Sequence, residues 1–121
     1  MISEGMNQVA TNHDPTAHAE IVAIRAACRA LGTFQLTGCT LFCSCEPCPM
    51  CLGAIYWARL DAVYFASTRD DAANAGFDDA MIYKEVLAPP ESRQIPMCRL
   101  HVDEAALPFQ HWKALESRVQ Y

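Results

Sequence analysis

Apolar positions along this chain change period several times, and each change marks an element. From Ile21 to Leu31 they recur at three and four residues (Ile21, Ile24, Cys28 and Leu31, with Ala23 and Ala27), the repeat of a helix with one buried face. Asp14 suits its N-cap and Pro15 its first position, and Gly32 sits just past its end. Cys39 to Cys43 is apolar with a β-branched residue, which predicts a short strand, and Ala62 to Ala66 predicts another. Between them a second helix is expected from about Cys48 to Arg59, with Pro47 and Pro49 at its mouth. Ile2 to Val9 reads as an incomplete strand, and Arg69 to Lys84 as one or two short helices or loops around Gly76. Met97 to Val102 predicts a last strand, and Leu107 to Tyr121 a terminal helix with Pro108 at its first position. Strand and helix alternate, so the expected fold is α/β with a largely parallel sheet in its second half.

Length and composition narrow this picture. At 121 residues the chain is read as a single domain, residues 1–121, with no internal repeat and no low-complexity linker. Ala88-Pro89-Pro90-Glu91 is a stiff loop within it. No stretch approaches the roughly 18 consecutive apolar residues of a membrane span, and no charged-then-apolar leader opens the chain, so a cytoplasmic protein is expected. Nine Lys and Arg stand against 14 Asp and Glu, a net charge of −5, without a basic cluster. A protein gripping a long phosphate backbone needs such a cluster. A small-molecule substrate is therefore favoured over nucleic acid.

Seven cysteines in a chain without a leader suggest metal binding before disulfides. Two short motifs concentrate that chemistry: His18-Ala19-Glu20 and Pro47-Cys48-Pro49-Met50-Cys51. They match the H-x-E…P-C-x-x-C signature of zinc deaminases. Cys48 and Cys51 are three apart at the start of a helix, so both sulfurs can reach one ion, and the helix N-terminus favours thiolates. His18, Cys48 and Cys51 as metal ligands leave a fourth tetrahedral position for water, the mark of a catalytic zinc with one ion per chain. Zinc-bound water acidifies to a pKa of about 7, becoming hydroxide near neutrality. Glu20 lies roughly 200° around the helix from His18, too far round to duplicate the ligand's direction, and is expected to shuttle protons. A closed structural site of His18, Cys45, Cys48 and Cys51 is the competing arrangement, because Cys45-Glu46-Pro47-Cys48 repeats the same spacing. Such a site has no use for Glu20. Cys28, Cys39, Cys43 and Cys98 fall in apolar periods and read as core residues. His101 and His111 lack a ligand partner at useful spacing, and His13 reads as part of the capping turn.

From Asn7 to Tyr121 the chain resembles the bacterial guanine deaminases of the cytidine-deaminase-like superfamily. The blocks Asn12 to Glu20 and Ser44 to Arg59 are shared with tRNA adenosine deaminases and cytosine deaminases, and carry the superfamily only. Ala72 to Asp79 and the ending from Pro108 to Tyr121 resemble guanine deaminases in particular. The resemblance implies a three-layer fold, a central mixed sheet flanked by helices, and conversion of guanine to xanthine and ammonia. It implies that Asn7 hydrogen-bonds the purine, that Asp79 assists proton movement beside Glu20, and that Trp57 and Tyr121 contact substrate. It further implies a homodimer in which a C-terminal segment, about residues 104–121, crosses to the partner's site. Members of the family carry a further helix and strands ahead of these residues, so the chain is expected to be N-terminally truncated and to expose apolar surface and a strand edge. Two other readings stay open: a tRNA adenosine deaminase, and a non-catalytic zinc-binding scaffold or inactive remnant.

Overall fold

The computed structural model describes residues 1–77 and 79–121. These fall into two compact units, Met1–Tyr83 and Lys84–Tyr121. In the first, a short helix α1 (Val9–Asn12) precedes α2 (Ala19–Leu31), then β1 (Thr40–Cys45), α3 (Pro49–Trp57), β2 (Ala62–Ser67) and α4 (Arg69–Asn74). Helix α5 (Ala80–Leu87) runs across the boundary, and the second unit adds two 3-10 turns and α6 (Leu107–Ala114). The α/β class stands. Its sheet is small: β1 and β2 pair in parallel, with Thr40 opposite Ala62 and Cys45 opposite Ser67.

Alternation on β1 leaves Thr40, Phe42 and Ser44 exposed and turns Leu41, Cys43 and Cys45 inward. Because the strands run parallel, both C-terminal ends open on the same side, where α/β folds place their sites. Past the ladder, Glu46 N–H still donates to Ser67 O at 2.9 Å, so the segment leading into α3 is held before the helix begins.

Small residues bring α2 and α3 together. Ala27 and Ala58 are buried with Leu36, which is 2% exposed, and Ile24, Cys28, Cys39 and Leu60 pack around them. Leu36 N–H also donates to Ala58 O at 2.7 Å, tying the loop after α2 to the end of α3. Helix α2 stops where Gly32 takes the left-handed conformation (φ 64°) and returns its N–H to Cys28 O.

Several boundaries differ from those the sequence predicts. Asp14 does not cap α2; its carboxylate accepts from both the amide and the hydroxyl of Thr16, building a turn, and His18 becomes the N-cap instead. Ile2 to Val9 forms no strand. Ser3 Oγ donates to Ala23 O at 2.9 Å, and Gly5 lies so close to α2 that an added Cβ would sit 2.7 Å from Ala23 N and collide with Ala19 O. Glycine is required there, and this close approach replaces strand pairing. Met97 to Val102 is coil, because a strand needs a neighbour and its unit offers no other extended segment among the described residues. The terminal helix ends at Ala114, seven residues early. Arg118 curls back to donate to Lys113 O and Leu115 O, both at 2.9 Å, satisfying carbonyls that a longer helix would have used.

Leu36→Ala should lower the unfolding free energy by about 2–4 kcal/mol in a urea titration. A loss well under about 1 kcal/mol would mean that the α2–α3 junction does not depend on this side chain.

Candidate metal centre and cavity

Both metal-binding motifs sit at helix mouths. His18 is the N-cap of α2 and Cys48 the N-cap of α3, each in extended backbone (ψ 156° and 168°), so the chain turns sharply into a helix at both residues. Pro49 opens α3 without an N–H that would need a partner, and Cys51 follows in the first turn, fully buried. The two mouths converge. One donor atom each from His18, Cys48 and Cys51 lies within 4.8 Å of the others, and Cys48 Sγ is 3.6 Å from His18 Nδ1.

These donors fit zinc. Bonds of about 2.3 Å to sulfur and 2.0–2.1 Å to nitrogen at tetrahedral angles require S···N edges of about 3.6 Å, as found between Cys48 and His18. The sulfurs are primed for a cation. Cys48 is held down to about 6, first by the hydrogen bond from the Cys51 thiol against the pull of burial, then by the Cys51 amide, the His18 ring and the Met50 amide. Without a metal the pair shares one proton, so Cys51 is pushed up by its bond to Cys48, by burial and by the facing Glu20 carboxylate. Cys48 and Cys51 would both hold a divalent cation as thiolates, the shared proton being released.

Glu20 occupies the second position of α2, where the helix dipole favours its charge, and faces Cys51 and Cys43. Cys43 is pushed up to about 11, mainly by burial and then by Glu20 and Cys45, which keeps it a neutral thiol. Cys45 points elsewhere: its Sγ donates to Thr68 O at 3.6 Å, and it is absent from the donor cluster among the described residues. The closed four-ligand arrangement is not formed.

A cavity of about 1270 Å³ opens over this centre, lined among others by Asn7, His18, Glu20, Cys48 and Asp79. It exceeds the roughly 300–1,000 Å³ of ordinary small-molecule pockets, so volume alone selects no substrate. Asn7 Oδ1 accepts from Val9 N–H at 3.0 Å, closing the turn into α1. Asp79 is half-buried and its carbonyl receives the first amides of α5, from Ile82 and Tyr83. Trp57, at the end of α3, is 62% exposed and lies outside the described lining. Tyr121 belongs to the second unit and meets Trp112 edge to face, ring centres 6.4 Å apart.

The sequence did not mark the group that braces the Cys48 corner. Glu46 Oε2 accepts the amide of Arg69 at 3.1 Å, Arg69 lies over the Tyr83 ring at 4.9 Å, and Tyr83 donates its hydroxyl to Pro47 O at 3.2 Å. The only signal was the four-residue spacing of Asp79 and Tyr83, which puts both on one side of α5.

Two outcomes follow from this geometry. Alkylation of Cys48 by iodoacetamide in metal-free protein should rise through about pH 6 and level off by neutrality, since the thiolate exists above its lowered pKa. Stoichiometric zinc should suppress it; a profile still climbing at pH 9 would contradict the site. Cys45→Ser should retain one zinc per chain by elemental analysis, and loss of the metal would place Cys45 among the ligands.

Residues 1–67 match the cytidine and deoxycytidylate deaminase zinc-binding region. Guanine deaminase from Bacillus subtilis (strain 168) is 54% identical over 121 residues, covering 100% of this chain and 78% of that protein. The X-ray structure of guanine deaminase from Bacillus subtilis superposes with a TM-score of 0.97, covering 100% of this chain and 77% of that one. The tRNA-specific adenosine deaminase of Aquifex aeolicus (strain VF5) is 46% identical over 67 residues, 55% of this chain and 44% of that protein. With the H-x-E and P-C-x-x-C residues meeting in one site on this fold, the chain belongs to the zinc-dependent cytidine and deoxycytidylate deaminase family, alongside its guanine deaminases.

Proposed function

We propose that this chain is a zinc-dependent aminohydrolase that converts guanine and water to xanthine and ammonia. The observation that carries this reading is the reach of the likeness. Similarity to the Bacillus subtilis guanine deaminase runs through 100% of the chain, whereas the tRNA-specific relative matches 55% of it. The match to the zinc-binding region ends at residue 67, and the likeness to the guanine deaminase continues through all of the remainder, Asp79 included.

Zinc held by His18, Cys48 and Cys51 supplies Lewis acidity that lets water act as a nucleophile near neutral pH. The chain's own residues handle the protons and the base. Glu20, beside the metal donors, takes a proton from the attacking water and delivers it to a ring nitrogen next to the amino-bearing carbon. It then carries the second water proton to the amino group. The C–N bond breaks, ammonia leaves, and the carbon keeps the oxygen as a carbonyl. Asp79, also in the cavity lining, assists this transfer. Asn7 has its oxygen committed to Val9 N–H, so it offers its amide hydrogens to an acceptor on the purine.

Trp57 and Tyr121 are exposed and lie outside the cavity's described lining. They contact a purine by way of a homodimer, in which residues from about 104 onward cross to the partner's site. The exposed Leu52, Tyr56 and Trp57 on α3 support such an association. The net charge of −5 supports a free base over nucleic acid as substrate, and a cytoplasmic location accords with unpaired cysteines throughout the described chain. No helix among the described residues is long and apolar enough to cross a membrane.

Zinc-loaded protein incubated with guanine should release equal amounts of xanthine and ammonia. Glu20→Gln should cut kcat by about 10²–10⁴-fold, the range of a general acid–base group, while the zinc content stays at one. Folded, zinc-loaded protein that yields no xanthine would defeat the reading. An unchanged rate in Glu20→Gln would remove Glu20 from the chemistry.

A further inference from the structure

The corner that presents Cys48 contains a buried carbonyl that α3 does not satisfy. The first bond of the α3 ladder runs from Leu52 N–H to Cys48 O at 2.8 Å, so Pro47 O lies one residue outside it. Pro47 itself is buried, where an unpaired carbonyl is destabilising. Its partner comes from a distant element: the hydroxyl of Tyr83, 36 residues on, at 3.2 Å. Tyr83 is in turn fixed from its ring face by the Arg69 guanidinium at 4.9 Å. Arg69 opens α4, where the Thr68–Asp71 capping box and the Glu46 carboxylate hold the backbone. Burial and the neighbouring Asp79 and Glu46 raise the Tyr83 pKa, which favours the protonated, hydrogen-donating phenol.

We propose that Tyr83 is a positioning residue for the zinc site, setting the direction of Cys48 through the Pro47 carbonyl and tying Asp79, one helical turn before it, to that corner. The inference rests on the zinc reading above. Cys48 leaves an extended conformation directly into α3, so a rotation of the Pro47–Cys48 peptide swings its sulfur relative to His18. The hydroxyl of Tyr83 opposes that rotation. Outer partners of this kind typically alter metal affinity about 10–100-fold when removed. Asp79 precedes Tyr83 by one helical turn, so the bond that aims the ligand also places a carboxylate on the cavity wall.

The test uses the full chain with Tyr83→Phe, which removes only the hydroxyl. Zinc affinity measured by chelator competition should fall about tenfold or more. In cobalt(II)-substituted protein the thiolate-to-metal absorption should shift or broaden, because the Cys48 sulfur is less well aimed. A purely structural hydroxyl would lower the unfolding midpoint yet leave affinity and cobalt spectrum at the parent's values, and that result overturns the proposal. Arg69→Gln keeps the hydroxyl but frees the ring, and should weaken zinc binding in the same direction by a smaller factor. Should Tyr83→Phe not fold, parental zinc affinity and an unaltered spectrum in Arg69→Gln overturn it equally. Cys51→Ser separates the two levels of the argument. If that variant still binds zinc as the parent does, the zinc site itself is misassigned; if it loses zinc while Tyr83→Phe does not change, only the role of Tyr83 fails.

Discussion

Three donor atoms from two helix mouths, His18 on α2 with Cys48 and Cys51 on α3, must lie within 4.8 Å, and much of the first unit is arranged around that requirement. Two helices whose N-termini converge bring two positive dipole ends together, an unfavourable pairing on its own. Anionic groups offset it: the Cys48 thiolate, the Glu20 carboxylate and, once zinc is bound, the Cys51 thiolate as well. Close packing behind the mouths holds the geometry. Alanines at positions 27 and 58 let α2 and α3 approach, and Leu36 fills the space between them.

The same arrangement divides labour among the cysteines. Along β1 the inward face carries Cys43 and Cys45, both close to the Cys48 motif in sequence, with Cys43 beside Glu20. Neither joins the donor cluster. Burial and the Glu20 charge keep Cys43 protonated, and Cys45 turns its hydrogen toward Thr68 O. A three-ligand centre beside a carboxylate has room for water, whereas a fourth sulfur would have closed it. The direction of one side chain thus separates a catalytic from a structural metal.

Chemistry and substrate are carried by different parts of the chain. The two motifs and the parallel β1–α3–β2 unit supply the metal donors and lie within residues 1–67, the part that matches the cytidine and deoxycytidylate deaminase zinc-binding region. Asn7 reaches the cavity because Gly5 lets the preceding backbone lie against α2, and Asp79 reaches it at the start of α5. Around Cys48, the Glu46–Arg69–Tyr83 contacts run from the metal corner to the α5 turn that follows Asp79.

The metal-donor cluster and the central elements were legible in sequence because each rests on local spacing. His18, Glu20, Cys48 and Cys51 stand at spacings that helix geometry converts directly into positions, and α2, α3, β1 and β2 follow from apolar period. Segments whose state depends on a distant partner were misjudged. Ile2 to Val9 has the composition of a strand yet lies against α2, Met97 to Val102 lacks a neighbouring strand, and Asp14 spends its cap on Thr16. Whether Cys45 was a fourth ligand also lay beyond the sequence, since C-x-x-C spacing is identical for both pairs and only the approach of Thr68 decides between them. Tyr83 was invisible for the same reason: its bond spans 36 residues, and no local pattern records which carbonyl a distant hydroxyl will meet. Sequence alone determined which chemistry the motifs indicate, through short-range spacing; tertiary structure decided which donor atoms meet and which groups pack against them, because those depend on long-range contacts.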